Sequence, residues 1–139
     1  MTNSTFFVVR HAEWTGRMTD DEKEIILSPR GVGAATKTAA SIKEVSKGKN
    51  IRIFSSPRKR ALLTAEIISD ACNKTEVILD ELLSEEKFSA DSEDFIDWLF
   101  HTKKDDDIIV IVTHEPCCKK IYNLLHRAPQ IEMGEALAF

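Results

Sequence analysis

Three short segments of the chain place histidine and arginine side chains directly after apolar runs rich in β-branched residues. They are Arg10-His11, Ser55-Ser56-Pro57-Arg58-Lys59-Arg60 and Thr113-His114. A guanidinium group binds phosphate oxygens through paired hydrogen bonds. A neutral imidazole is a nucleophile near neutral pH. Together these residue types predict a phosphate pocket that contains a histidine nucleophile.

The elements that must position these side chains alternate between strands and helices. Short apolar runs predict five strands, at residues 6–9, 51–54, 77–79, 108–112 and 136–139. Helical spacing of apolar residues predicts four helices, at residues 31–47, from Ser56-Pro57 to Cys72, at 91–103 and from Glu115 to His126. The segments 12–30 and 82–90 are expected to be loops. This order predicts an α/β fold, a three-layer αβα sandwich whose central sheet is mostly parallel.

The helix patterns also predict which side chains enter the core. The expected core faces are Val32, Ala35, Ala39 and Ile42 in the first helix, Ala61, Ala65, Ile68 and Cys72 in the second, and Phe95, Ile96, Leu99 and Phe100 in the third. Ser56 followed by Pro57 is typical of a helix start, with a capping hydroxyl before a proline in the first turn.

Ligands of parallel sheets bind at the carboxyl ends of the strands, where all three segments lie. Two of the segments also open helices, whose free N–H groups attract anions. Each segment alone has an ordinary structural interpretation. Arg10-His11 fits a solvated turn, residues 58–60 fit a surface charge cluster, and His114 fits a hydrogen-bonded residue at a helix start. Their convergence on one sheet edge favours the functional interpretation.

The composition limits the kind of protein this is. The chain has 139 residues, of which 42% are hydrophobic and 30% charged, with 5 glycines and 4 prolines. These values predict one globular domain spanning residues 1–139. The net charge of −4 argues against nucleic acid or anionic membrane as a partner.

The cysteines and the N-terminus predict a cytoplasmic location. The sequence has no apolar run of membrane-span length, and its first residues lack the pattern of a signal peptide. Its three cysteines, Cys72, Cys117 and Cys118, are interpreted as reduced thiols. No arginine lies six residues after Cys117 or Cys118, so a cysteine phosphatase is not indicated. The sequence also has neither zinc-site spacing nor a magnesium-type carboxylate cluster, so we expect no metal and no cofactor.

Four stretches of the chain resemble the histidine phosphatase superfamily, which has the phosphoglycerate mutase-like fold. The stretches are Phe7 to Glu13, Leu27-Ser28-Pro29-Arg30-Gly31, Phe54 to Ala65, and Val112-Thr113-His114. The most specific of them has the pattern Ser-Ser-Pro-x-x-Arg-Ala-x-x-Thr-Ala. In length the chain is most similar to the short SixA-type phosphohistidine phosphatases. Larger mutases and sugar phosphatases carry insertions over the pocket, and a pocket without them can admit a phosphate borne on a protein.

The resemblance implies a role for each matching residue. His11 is implied as the nucleophile, and Arg10 and Arg60 as the groups that hold the phosphoryl oxygens. His114 is implied to complete the phosphate site. Nearby arginines should lower the pKa of His11 from about 6.5 and keep the imidazole neutral.

Other arginines and lysines have weaker implied roles. Arg17 lies where mutases often have an asparagine near the phosphate, and it is interpreted equally well as a solvated loop residue. Arg58 and Lys59 occupy variable positions of the motif, so at most they make secondary contacts.

The sequence departs from the family pattern at two places. Ala12 replaces the glycine after the Arg-His pair, and Ser84 occupies the position at which mutases have an acidic residue. Glu85 is a candidate general acid, with a solvated acidic loop (Glu81, Glu85, Glu86) as the alternative. The lack of an acid at position 84 favours a phosphoramidate or an easily cleaved ester as substrate.

The expected function is therefore that of a metal-independent phosphatase acting through a phosphohistidine intermediate. A SixA-like protein phosphohistidine phosphatase is the first expectation. The alternatives are a small-molecule phosphomonoesterase and a non-catalytic phosphoprotein-binding module. The expected partner is a phosphorylated protein or a small phosphate ester, and the sequence leaves the oligomeric state open.

Overall fold

The structure, a computed structural model, describes residues 5–102, 107–125 and 136–138. The predicted element ends at Lys103, His126 and Phe139 lie outside the described residues, as does the side chain of Phe100.

Seven strands, four helices and one short 3-10 helix are formed by the described residues. The strands are β1 (Thr5–Arg10), β2 (Trp14–Thr15), β3 (Ile26–Leu27), β4 (Ile51–Ser55), β5 (Val77–Leu79), β6 (Ile108–Thr113) and β7 (Ala136–Ala138). The helices are α1 (Pro29–Val45), α2 (Lys59–Ala71), α3 (Ala90–Thr102) and α4 (Glu115–Leu125), with the 3-10 helix at Glu81–Leu83.

The main sheet has the strand order β5-β4-β6-β1-β7. The first four of these strands are parallel, and β7 runs antiparallel to β1. Strand β6 is buried along its whole length because it lies at the centre, between β1 and β4. The predicted mostly parallel sheet is confirmed.

Helices cover both faces of this sheet and form two cores. Phe7, Val9 and Val110 point to the face packed against α1 and α2. Phe6, Val8 and Ile109 point to the opposite face, packed against α3 and α4. Neighbouring residues of one strand therefore enter different cores, which explains why these strands are apolar throughout. The three-layer αβα sandwich is confirmed.

The predicted loop at residues 12–30 is wrong at its two ends. Trp14 pairs with Leu27 and Thr15 with Ile26, which forms the two-stranded sheet of β2 and β3. The segment closes on itself because Leu27 is buried against Ala12 and Ala35. In the same region α1 begins two residues before the predicted position, since the Ser28 side chain caps it by accepting a hydrogen bond from the Gly31 N–H.

The core face of α1 also differs from the prediction at one position. Val32 is 43% exposed, whereas Gly31 is buried one position earlier. The reason is a close approach of two backbones: a Cβ at residue 31 would lie 2.0 Å from the carbonyl oxygen of Glu13. A glycine permits this packing, so the buried face of α1 begins at Gly31 and continues through Ala35, Thr38, Ala39 and Ile42.

The other predicted core faces agree with the structure where it describes them. Ala61, Ala65, Ile68 and Cys72 are all buried, as are Ile96 and Leu99, with Phe95 packed against the second core. The predicted loop at 82–90 is shorter than expected, because the 3-10 helix extends to Leu83 and α3 starts at Ala90.

In the described part of the chain, none of the helices has the length and apolar character that crossing a membrane requires.

Candidate active site

The three predicted segments lie side by side at the carboxyl edge of β1, β4 and β6. Main-chain hydrogen bonds continue one step beyond the strands, from the His11 N–H to the Thr113 carbonyl and from the Ser56 N–H to the Val112 carbonyl, both at 2.9 Å. This continuation fixes His11, Ser56 and His114 next to one another. The rings of His11 and His114 meet edge to face, with their centroids 5.3 Å apart.

His11 is buried and holds its ring in one orientation. Its Nδ1 lies 3.1 Å from the carbonyl oxygen of Ala12, which can only accept a hydrogen bond. The hydrogen-bond network therefore assigns the proton to Nδ1 and leaves the lone pair on Nε2. Burial, with further contributions from Arg60 and Arg10, lowers the pKa of His11 to about 4. The imidazole is consequently neutral at pH 7, which is the nucleophilic form.

His114 is fully buried, and Ser56 orients its ring. Ser56 Oγ lies 2.9 Å from His114 Nε2 and accepts a hydrogen bond from the Arg58 N–H. The carboxylate of Glu85 beside Nδ1 can only accept, so we assign the ring proton to Nδ1, and the Ser56 hydroxyl can then donate to Nε2. That Nδ1 is 3.2 Å from Glu85 Oε1. Burial first, then Arg60 and His11, lowers the pKa of His114 to about 4.

Arg60 extends from the first turn of α2 and is held on three sides. Its Nη2 is 2.7 Å from Glu85 Oε1, and its Nη1 is 3.8 Å from Glu22 Oε2. Its Cζ lies over the Trp14 ring, 5.8 Å from the centroid. Since the guanidinium is also buried, it is a fixed positive charge beside the two histidines.

Glu85 belongs to this cluster, whereas Ser84 does not. One oxygen of Glu85 contacts both Arg60 and His114, so an oxyanion fits between these two groups. The Ser84 hydroxyl is buried and donates to the Glu81 carbonyl. The Thr113 hydroxyl donates to the Leu83 carbonyl, which anchors the 3-10 helix beside the end of β6 and brings Glu85 to the site.

The remaining predicted contacts lie around this centre. Arg10 ends β1 opposite Thr113, half-buried, and its charge contributes to the low pKa of His11. Arg17 is exposed and pairs with Glu24 at 2.8 Å, and no contact among the described residues joins it to the two histidines. Arg58 pairs with Glu86 at 2.9 Å. Lys59 Nζ donates to the Lys23 carbonyl.

The predicted helix start at Ser56-Pro57 is wrong. Helix α2 begins at Lys59, and Arg58 at its N-cap forms no side-chain cap. The Ser56 hydroxyl instead orients His114, which requires Ser56 to lie before the helix. The Lys59 N–H is satisfied by Glu22 Oε2, at 3.4 Å.

Sequence reasoning missed three residues of the site, namely Ser56, Thr64 and Glu22. Thr64 Oγ1 accepts from the Ala12 N–H and donates to the Arg60 carbonyl, so it ties the His11 segment to α2. Ser56 and Thr64 both belong to the Ser-Ser-Pro motif, which could have indicated them. Nothing in the sequence distinguishes Glu22 from its acidic neighbours.

The cysteines and Ala12 take no chemical part in this arrangement. Cys117 and Cys118 are buried, and burial raises the pKa of both thiols, which keeps them protonated. Ala12 is fully buried and its N–H is bonded to Thr64, so its methyl group fits where the family has glycine.

The model of the histidine phosphatase superfamily (branch 1) matches residues 6–93, well over half of the chain. The chain belongs to the histidine phosphatase superfamily. The match includes the segments that carry His11 and Arg60, and it places the protein among phosphatase enzymes.

Solved structures agree with this membership at the level of the fold. The protein histidine phosphatase SixA complexed with tungstate is similar with a TM-score of 0.75 and 16% identity, over 97% of this chain and 94% of that one. A phosphoserine phosphatase from Entamoeba histolytica in complex with 3-phosphoglyceric acid is similar with a TM-score of 0.65 and 23% identity, over 98% and 90%.

A third structure, a putative SixA from Agrobacterium tumefaciens, has a TM-score of 0.62 and 15% identity, over 84% of this chain and 72% of that one. None of the curated proteins compared with this chain matches it.

Proposed function

We propose that this histidine phosphatase is a metal-independent enzyme that forms a phosphohistidine on His11 and removes phosphate from phosphohistidine in proteins. The observation that carries the proposal is the state of His11. Its Nε2 bears a lone pair, its pKa is about 4, and Arg60 and His114 lie beside it. A neutral nucleophile next to fixed positive charge is what phosphoryl transfer requires.

In the first proposed step, His11 Nε2 forms a bond to phosphorus while the bond from phosphorus to the leaving atom breaks. The leaving atom keeps the electron pair and takes a proton from solvent. Arg10 and Arg60 hold the phosphoryl oxygens, and the Nδ1–H of His114 donates to one of them. Glu85 marks the oxyanion position, since its Oε1 lies between Arg60 and His114.

In the second step, a water oxygen attacks the phosphorus of the phosphohistidine. The bond between phosphorus and Nε2 breaks, its electron pair returns to His11, and the water proton passes to solvent. Phosphate then leaves. The Ala12 carbonyl stabilises the Nδ1–H through both steps, so His11 begins and ends in the same tautomer.

Two features support a phosphohistidine substrate. The fold matches that of SixA over 97% of this chain and 94% of that one, so the matched part carries no long insertion between the shared elements. Position 84 carries a buried serine in place of an acid, and an imidazole leaving group needs less protonation than an alkoxide. A cytoplasmic location, where phosphorylated carrier proteins occur, remains part of this proposal.

One observation favours a small phosphate ester as the alternative substrate. The Glu85 carboxyl group lies 3.2 Å from His114 and 2.7 Å from Arg60, and once phosphate displaces it from these contacts it lies next to the phosphoryl group, where it can protonate a leaving alkoxide. As a general acid, Glu85 would matter for esters and hardly for phosphohistidine.

Hydrolysis of p-nitrophenyl phosphate in EDTA tests the chemistry. We expect turnover by the wild type, none by His11→Ala, and a phosphoenzyme that is stable to base and labile to acid, as a phosphohistidine is. Activity that survives in His11→Ala excludes His11 as the nucleophile. Phosphate binding without turnover in the wild type favours a binding module.

A substrate comparison tests the specificity. We expect kcat/KM for a phosphohistidine protein to exceed that for every member of a panel of phosphate esters. Glu85→Gln should leave phosphohistidine turnover nearly unchanged. A preference for an ester, lost in Glu85→Gln, would establish the alternative.

A further inference from the structure

We infer that Glu22 is a positioning residue, which holds the guanidinium of Arg60 and the first turn of α2 in place for phosphate. The inference rests on the proposed function, because that function gives Arg60 its role.

Glu22 is a buried carboxylate that faces the start of α2. Its side chain is 12% exposed, and its two carboxylate oxygens contact three consecutive residues at the start of α2, numbers 58 to 60. Oε1 lies 3.7 Å from Arg58 Nη1, while Oε2 lies 3.8 Å from Arg60 Nη1 and accepts from the Lys59 N–H at 3.4 Å. A carboxylate is costly to bury unless positive charge and N–H groups surround it, as they do here.

The backbone at Glu22 is strained in a way that places this side chain. Its φ is +57°, in the left-handed region of the backbone, which residues other than glycine and asparagine seldom adopt. Hydrogen bonds on both sides hold the turn, from the Glu22 N–H to the Thr19 carbonyl and from the Ile25 N–H to the Glu22 carbonyl. Such strain persists where the surroundings over-determine the conformation, and it concentrates at functional sites.

Glu22 and Glu85 contact different nitrogens of Arg60. Glu85 contacts Nη2 at the oxyanion position, so phosphate must displace it. Glu22 contacts the other terminal nitrogen, Nη1, at 3.8 Å, so phosphate that binds at Nη2 need not displace it. Glu22 therefore orients Arg60 in the complex, at the time when the contact from Glu85 is lost.

Calorimetric titration with inorganic phosphate tests this role without turnover. We expect Glu22→Gln, which has the same shape without the charge, to weaken phosphate binding about tenfold, the size of a coupling between neighbouring charged groups. The melting temperature should change by a few degrees at most. Asp20→Asn removes the same charge from an exposed position on the same segment, and it should bind phosphate as the wild type does.

A second variant separates positioning from folding. Glu22→Gly relieves the positive φ, so it should raise or preserve the melting temperature while binding phosphate as weakly as Glu22→Gln does. Unchanged or tighter phosphate binding in Glu22→Gln would overturn the inference. Equal weakening in Asp20→Asn would overturn it too, since bulk charge would then be the cause. A wild type that binds phosphate but lacks activity refutes the proposed catalysis, not the role of Glu22.

Discussion

The site has two halves that are built differently. His11 and His114 directly follow strands of the central sheet, and main-chain hydrogen bonds and burial fix both. Glu22 and Glu85 come from connectors, between β2 and β3 and after the 3-10 helix. The sheet half carries the proposed chemistry, and the connector half sets the charge around Arg60. A substitution in the connectors can therefore change phosphate binding without disturbing the nucleophile.

The largest expected effect of a substitution on turnover, apart from loss of the nucleophile, lies in the sheet half. His114→Gln places its amide near the position of Nε2, beside Ser56, and has no donor at the position of Nδ1; loss of one such donor lowers kcat by about 10²- to 10³-fold. Ser56→Ala leaves the ring but frees its orientation, so its kcat should fall less. Steady-state kinetics with p-nitrophenyl phosphate measures both, and a kcat within threefold of wild type in His114→Gln would show that the site does not use this donor.

The sheet half could be predicted from the sequence because its signals are local. An apolar run predicts a strand, a parallel sheet aligns the strand ends, and the residues that follow must then meet. This reasoning predicts that His11 and His114 meet, and the resemblance of the Ser-Ser-Pro segment to the family motif places Arg60 beside them. The same locality explains the success with the core faces of α2 and α3.

The connector half could not be predicted because its contacts depend on tertiary structure. Glu22 lies in the acidic run 20–24, and only the positive φ and the packing against α2 distinguish it. The burial of Gly31 depends on the backbone of Glu13, eighteen residues before it in the chain. The sequence predicts that the Ser56 hydroxyl caps a helix, yet besides the Arg58 N–H it contacts His114, which is 58 residues away in the chain.

The pH dependence of stability provides a second test of the sheet half. The pKa of a histidine is about 6.5 in the unfolded chain, and in the folded protein His11 has a pKa of about 4. Below pH 6.5 the unfolded chain binds a proton that the folded state rejects, so the free energy of unfolding falls until about pH 4. The loss approaches about 3 kcal/mol for His11 over this range.

Urea denaturation of the wild type and His11→Gln at pH 7.0 and 4.5 tests this contribution, because both proteins retain all of the carboxylates and only the wild type has the His11 imidazole. The wild type should lose more stability than the variant over this interval. Equal losses would mean that His11 is not held neutral by the fold.

A third prediction concerns the close packing of α1 against the backbone of Glu13, in the segment after His11. Gly31→Ala places a Cβ against the Glu13 carbonyl, an overpacking that should cost about 1–3 kcal/mol of stability. Gly33→Ala is the matched control in the same helix, since nothing lies within 4 Å of its Cβ. That control should gain up to about 1 kcal/mol, as alanine does over glycine in a helix. Thermal denaturation of both variants measures the difference, and a neutral Gly31→Ala would mean that the connector moves freely.

The smallest expected effect is a change in phosphate affinity, which compares the two carboxylates that contact Arg60. Glu85→Gln removes an exposed ion-pair partner that phosphate must displace, so phosphate should bind about two- to fivefold more tightly, as the modest strength of exposed ion pairs implies. Glu22→Gln removes the same charge from the same arginine and should act in the opposite direction. Calorimetric titrations of both variants with inorganic phosphate decide between two accounts of Arg60. If both substitutions tighten phosphate binding, the two carboxylates only reduce the positive charge of Arg60. If Glu85→Gln tightens binding and Glu22→Gln weakens it, Glu85 occupies the phosphate position and Glu22 orients the guanidinium.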